Sequence, residues 1–518
     1  MNCCSDGSRA DADEYGGPDT GGTMTDIDTP SQSSRAYKVL GLTAIATFLV
    51  SLDVSIVVVA RRTIEEDLGH PNILTWVFSA YSIAYAAGLL TAGRFADVYG
   101  RKRAFLRGLF LFSVGSVLCG LAPSAIFLVL ARVVQAIGGA QLTPASLALV
   151  LPEFPVEKRT QAIAIWGAFG GLAAAAGPSA GGLLVDTLGW RSLFFINIPF
   201  CAFTIIVGRR MLQESRDENA TRRVDYPSVV TGFTGVALVV LGISQSEVWG
   251  WTDPFTLGAI AIGLVLVAAF IRRCDTVEHP LLDLSLFRLP FVVAANVAGI
   301  LFSVGFIGMW LLNTTWLQTV WSYSVVKSGV ATMPGPLIAA TVAPFAGRLA
   351  MRYGHARVLF SGSILLSAGT FCLANSVSVT PDYWRAYLPW MLVTGVGVGL
   401  SISTLSSSAT AFLKPTQFAM GSALNTTARQ VGTALGAALS LAIAAPTLSA
   451  VGALLAGGGT ANGPEAWREL VDGVDLAPLL HAWYMNGAIY MLAGILMLVI
   501  FRTPTDEQMA ASFTDTSH

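Results

Sequence analysis

From Lys38 onward the chain repeats one unit: an apolar stretch of about twenty residues, then a short polar break. At a rise of about 1.5 Å per residue, such a stretch crosses a hydrocarbon core of about 30 Å. This pattern constrains the fold more than any other feature, because only helices and closed barrels satisfy their backbone in lipid. The stretches run approximately over 39–60, 73–93, 104–122, 125–149, 160–184, 191–209, 227–247, 254–271, 290–312, 325–347, 356–376, 386–412, 419–445 and 481–501. The expectation is an all-α polytopic membrane protein with fourteen spans. Charge supports it: 12% of residues are charged and mean hydropathy is +0.63, against roughly 25% charged in soluble proteins. A soluble enzyme, a secreted disulfide scaffold and a disordered chain are excluded together.

Thirty-one Lys and Arg stand against 32 Asp and Glu, so nothing points to nucleic acid. The six cysteines show no metal-ligand spacing, and neither a metal, a disulfide nor a cofactor is expected. No P-loop is present, so ATP is not the direct energy source. With the N-terminus on the cytoplasmic side, 23 of the 31 Lys and Arg fall in inner segments, six in outer ones and two within spans. The bias of basic residues toward inner loops therefore predicts an inner (plasma) membrane protein with both termini cytoplasmic.

The segment Gly93-Arg-Phe-Ala-Asp97-Val-Tyr-Gly100-Arg101-Lys102-Arg103 recurs as Gly347-Arg-Leu-Ala-Met-Arg-Tyr-Gly354-His-Ala-Arg357. Each copy closes an inward-going span and opens an inner loop. That predicts two parallel repeats of six helices, with two surplus helices between them. The expected parts are a polar tail at 1–38, a first bundle at 39–209, a linker with two extra helices at 210–289, a second bundle at 290–502 with an outer loop at 446–480, and a tail at 503–518.

Several segments in order resemble signatures of the major facilitator superfamily, in its 14-span drug:proton antiporter branch (EmrB/QacA-like). They are Leu52-Asp53-Val-Ser55, the first repeat copy, Arg132-Val-Val-Gln135-Ala-Ile-Gly138, Gly177-Pro178-Ser-Ala-Gly181-Gly182, Trp190 to Pro199, His279 to Asp283, and Ser422 to Gly432. The resemblance covers about residues 40–502. It implies a major facilitator fold and proton-coupled export of small amphipathic or hydrophobic compounds by alternating access. Its partners would be a small-molecule substrate, protons and the bilayer, acting as a monomer. An endogenous lipid, siderophore or secondary metabolite is the alternative cargo, and a symporter or facilitator is a further reading. The chain departs from the pattern at Arg61-Arg62, where the branch has an apolar Ala-Leu-Pro ending. It departs again at Ala136 and Ala173, which replace glycines, so looser helix contacts are expected there.

Asp53 lies in a run of Leu, Val and Ile. A carboxylate in hydrocarbon is expensive unless paired, protonated or wetted, which makes Asp53 the candidate proton-coupling group. Arg132 falls at the same depth, about 11 Å from the outer ends of their spans, and is its expected partner. Gln135, one turn deeper, would extend a polar path. A cationic substrate would compete with the proton for Asp53. The resemblance makes the loop residues Gly93, Asp97, Gly100, Arg101 and Lys102 a conformational latch. Asp97 would dock on the N-terminal end of a helix in the other half. Gly177, Pro178, Gly181 and Gly182 would permit close helix approach and a bend. Gly177 to Gly181 also fits G-x-S-x-G, but that motif needs a strand–turn–helix and here lies inside a span. Trp76, Tyr81, Trp166, Trp310, Asn425 and Arg429 are candidates for lining the cavity, with Phe169, Trp316 and Trp390 as further aromatic walls.

Overall fold

The computed structural model describes residues 30–69, 71–216, 225–278, 280–414, 417–456, 471 and 473–502. Residues 1–29 of the expected tail at 1–38, the tail at 503–518, and His279 lie outside the described residues, and residues 30–38, expected as tail, already belong to the first helix. The described residues form helices throughout, with no strand among them. In chain order these are α1 (Pro30–Val59), α2 (Arg61–Leu68), α3 (Pro71–Tyr99), α4 (Arg101–Gly120), α5 (Ala125–Val150), α6 (Val156–Leu188), α7 (Ser192–Phe195) and α8 (Asn197–Met211). There follow α9 (Tyr226–Trp249), α10 (Pro254–Thr276), α11 (Pro290–Thr315), α12 (Val325–Thr332), α13 (Pro334–Tyr353), α14 (His355–Ser376), α15 (Leu388–Thr410), α16 (Phe418–Ala456) and α17 (Ala477–Ile500).

Twelve segments among the described residues are long and apolar enough to cross a membrane, so this is a multi-span membrane protein. Fourteen were expected. The two outside the twelve are α3 and α6, of 29 and 33 residues. They are long enough, at about 43 and 50 Å, but each includes side chains outside the described ones, so the twelve count described residues only. α3 packs on α16 and α6 on α13 and α15, across the two halves of the molecule. Helices that press together in a membrane use small side chains, and α6 is rich in Ala and Gly. The peripheral α10, by contrast, leaves Phe255, Leu257, Ile262 and Val265 more than half exposed on the face away from α9.

Other boundaries shift as well. The stretch 325–347 breaks into α12 and α13 around Met333, where Pro334 opens the second helix. Helix α16 continues through Pro446 to Ala456, so the first third of the expected loop 446–480 is helical and residues 457–470 lie outside the described residues. Thr447 donates to the Asp475 carbonyl at 2.7 Å, tying the loop's return to α16. The surplus pair is asymmetric. α9 seats against both α3 and α16, at the seam of the halves, while α10 packs mainly on α9. Asp225, just before α9, holds Arg273 near the end of α10 at 2.7 and 2.8 Å, and that guanidinium keeps the carboxyl below its usual range.

The repeat copies do matching work. Gly100 and Gly354 have φ of 107° and 89°, a region costly for any side chain, and each turns one helix into the next. Gly93 meets α16, where an added Cβ would stand 2.8 Å from the Ala423 Cβ, and Gly347 meets α6, at 3.0 Å from the Ala164 Cβ. The two halves are thus closed on each other at this end by a pseudo-symmetric pair of contacts.

Candidate functional site

Asp53 is wholly buried, and so are the groups around it: Arg132, Gln135, Asn197 and Ser116 are each at most 1% exposed. Arg132 and Gln135 stand three apart on α5, on one face, and both turn to α1. Arg132 donates to Asp53 Oδ2 at 2.5 Å, Gln135 Nε2 to Oδ1 at 2.8 Å, and Asn197 Nδ2 to Oδ1 at 3.4 Å. Gln135 also accepts from Arg132 at 2.6 Å and donates to Ser116 Oγ at 2.7 Å. The pairing expected from depth is therefore present. Gln135 does not extend a path away from it, however; it closes the ring. Asn197, the first residue of α8, and Ser116 of α4 complete the site and were not singled out. Asn197 carries a signal, an amide inside an apolar run two residues before Pro199, whereas a lone Ser116 carries none.

The glycine segment of α6 explains how α1 comes into place. A Cβ on Gly177 would stand 2.4 Å from the Ser55 Cβ, and one on Gly181 3.1 Å from the Ile56 Cβ. Gly182 is also buried, and the helix is continuous through Pro178. Backing by a glycine face thus lets α1 press close to α6 beside Asp53. Ala136 and Ala173 are fully buried, so the two departures from the glycine pattern leave no exposed gap. Arg61 and Arg62 open α2, but their side chains lie outside the described ones.

Beside the buried ring lies a cavity of about 400 Å³, lined from both halves and by Val240 and Ser244 of α9. Tyr81 and Trp310 line it as expected, with Phe78, Met391 and Gln430. Arg132 reaches its wall, with the guanidinium 4.1 Å from the centroid of the Tyr81 ring, a cation–π distance. Asp53 does not line it.

The remaining candidates sit elsewhere. Trp166 is buried inside the first half, its indole donating to Ser146 Oγ at 3.2 Å. Trp316 packs against Trp483 with the rings tilted and their centroids 5.3 Å apart, and Trp390 donates to Ser376 Oγ at 2.8 Å. Trp76, Phe169, Asn425 and Arg429 are not among the lining residues. Large aromatic residues in these helices serve packing as readily as binding, and their sequence positions do not separate the two.

At the Gly100 end, Asp97 and Arg101 are both buried and paired at 3.1 Å. Asp97 lies one turn beyond Gly93, which abuts Ala419 and Ala423 in the first turns of α16; this sets the carboxylate at the level of that helix's N-terminus. Lys102 turns the other way, its ammonium donating to the Arg209 carbonyl at 2.8 Å. Glu214 was not anticipated. Its carboxylate accepts from the backbone N–H groups of Lys102 and Arg103 at 3.0 and 3.2 Å, filling the N-terminus of α4. A Cβ on Gly100 would collide with it at 2.5 Å.

Residues 43–437 match the family model of the Major Facilitator Superfamily. The chain is 32% identical over 428 residues to the multidrug resistance protein B homolog of Mycobacterium tuberculosis, covering 80% of this chain and 79% of that one. It is 34% identical over 464 residues to the puromycin resistance protein pur8 of Streptomyces alboniger, covering 88% of each. Its fold is similar to that of the proton:xylose symporter XylE, with a TM-score of 0.61 at 14% identity, over 93% of this chain and 99% of that one.

Proposed function

Because the chain belongs to the Major Facilitator Superfamily, a family of transporters and not enzymes, we propose that it is a proton-coupled antiporter that exports small amphipathic or hydrophobic compounds by alternating access. The relatives named for multidrug and antibiotic resistance support the cargo class. One observation carries the coupling. Three donors converge on Asp53, among them Arg132, whose guanidinium also forms part of the cavity wall. A protonated carboxyl presents an O–H donor, so a proton on Oδ2 would face the N–H of Arg132 donor to donor. Proton uptake therefore requires Arg132 to move, and moving it reshapes the wall at Tyr81. Release of the proton draws it back. Asp53 is thus the proton carrier, with Arg132 and Gln135 tuning it.

The reading includes fourteen spans, counting α3 and α6, and both termini in the cytoplasm of a plasma-membrane protein. On that orientation the contacts at Gly93 and Gly347 close the inner side, and the cavity belongs to an outward or occluded state. Asp97, paired with Arg101 beside the start of α16, is the latch that holds this closure; Lys102 serves the loop's own half. Asp53→Asn, reconstituted in liposomes, should fail to build a substrate gradient from a proton gradient while still exchanging substrate across the membrane. A full gradient in that variant would assign the proton to another group.

A further inference from the structure

Between the cavity and the closed end, the seam of the two halves holds a positive charge that no carboxylate among the described residues balances. Arg429 lies about 16 Å along α16 from its first residue. Its Nε is buried without an acceptor. Asn425 stands one turn earlier on the same face, is 4% exposed, and its Nδ2 also has no acceptor. Gly299 of α11 backs both: a Cβ there would stand 3.4 Å from Arg429 Cγ and 3.6 Å from Asn425 Nδ2. From the other half, Tyr85 is near enough to interact electrostatically with Arg429, but its hydroxyl is already joined to Thr143 Oγ1 at 2.8 Å.

Buried donors are normally satisfied, and two on one helix face that both lack an acceptor define the place of a missing one. The cavity above adds nothing to balance the charge. No Asp or Glu lines it, and the charge of Arg132 is already met by Asp53. A cargo crossing this seam therefore meets one compensated cation and one uncompensated cation, beside apolar and aromatic walls. That field favours an anionic group and repels a cationic one. Arg429 is also the first charged group of the seam above the Gly93 contact, so cargo entering from that side would encounter it before Arg132.

We propose that Arg429 and Asn425 form an anion-recognising subsite, and that the exported compounds carry a carboxylate or comparable acidic group on an apolar, ring-bearing body. The proposal rests on the exporter reading for its cargo, and the test separates the two. The full-length protein in nanodiscs is titrated, without any gradient, with 1-pyrenebutyric acid, its neutral amide and the corresponding amine, following pyrene fluorescence. The acid should bind about tenfold more tightly than the amide, the scale of one hydrogen bond to a charged group, and the amine most weakly. Arg429→Gln should bring the acid-to-amide ratio toward one, and Arg429→Lys should restore part of it. Acid binding no tighter than the amide, a preference for the amine, or an undiminished ratio in Arg429→Gln overturns the subsite. Proton-driven movement of the same three probes in liposomes tests export separately. Acid preference without proton-driven movement keeps the subsite and removes the exporter; movement without acid preference does the reverse.

Discussion

Asp53, Arg132, Gln135, Asn197 and Ser116 act as one unit, since each side chain hydrogen-bonds at least one other member of the ring. Replacing Gln135 with Leu removes a donor from Asp53 and an acceptor from Arg132. A buried group left unsatisfied costs about 1–3 kcal/mol, so Gln135→Leu should lower the thermal midpoint in detergent and shift the pH dependence of transport; an unchanged pH profile would remove Gln135 from the coupling. Gly177 is the other sensitive residue. Even Ala there forces α1 and α6 apart at Ser55, at about 1–3 kcal/mol for overpacking. Gly177→Ala should reduce transport by more than its loss of folded protein explains, because the displaced helix carries Asp53; transport per folded molecule, measured beside a melting curve, checks this. Asp53 and Arg132 were legible in the chain because charge inside an apolar run is rare. Ser116 was not, since one hydroxyl in a helix usually bonds its own backbone.

Helix α4 begins where three sequence-distant pieces meet: the turn at Gly100, the backbone of Ser215 and the carboxylate of Glu214. Glu214→Ala should destabilise by about 1 kcal/mol, as loss of a helix cap does, and should speed hydrogen exchange at the amides of Lys102 and Arg103. Lack of any change at those amides would mean water replaces the carboxylate fully. At the opposite end, Asp67 of α2 accepts from Arg191 at 2.6 Å and Trp190 at 3.0 Å. Hydrogen bonds from Arg191, then Trp190, hold the Asp67 carboxyl below its ordinary range. Its clamp on the α6–α7 turn is accordingly complete above the ordinary carboxylate range and is lost as pH falls through the lowered value. The long apolar spans were legible in the sequence, because apolar length and polar breaks are local properties; the short, charged α2 between the first two was not. Element ends were less legible. The break at Met333 and the run of α16 past Pro446 depend on what each helix packs against.

On the proposed alternating-access cycle, the Gly93–α16 and Gly347–α6 contacts open together. With Gly347 and Ala164 both changed to Cys, the Cβ atoms fall close to the separation a disulfide spans. Oxidation of that double variant should stop transport and reduction should restore it; undiminished transport after complete cross-linking would show that this end need not open. Orientation has its own check. Arg101 is buried, so labelling there reports closure as well as side, whereas the Arg103 side chain is 73% exposed. Arg103→Cys should react with an impermeant reagent only in permeabilised cells, and reaction in intact cells would invert the topology.

Membrane residence, the repeated halves and the family signatures were determined by the sequence alone. Each rests on local quantities: run length, charge bias, and the spacing of a few residues in one helix. The contents of the ring around Asp53 were decided only by tertiary structure, because its partners lie 79, 82 and 144 residues away. The same holds for which aromatic side chains border the cavity and which merely fill a half. A helix presents every side chain somewhere around its axis, and only the packing of neighbouring helices determines whether a given face meets lipid, protein or the path between the halves.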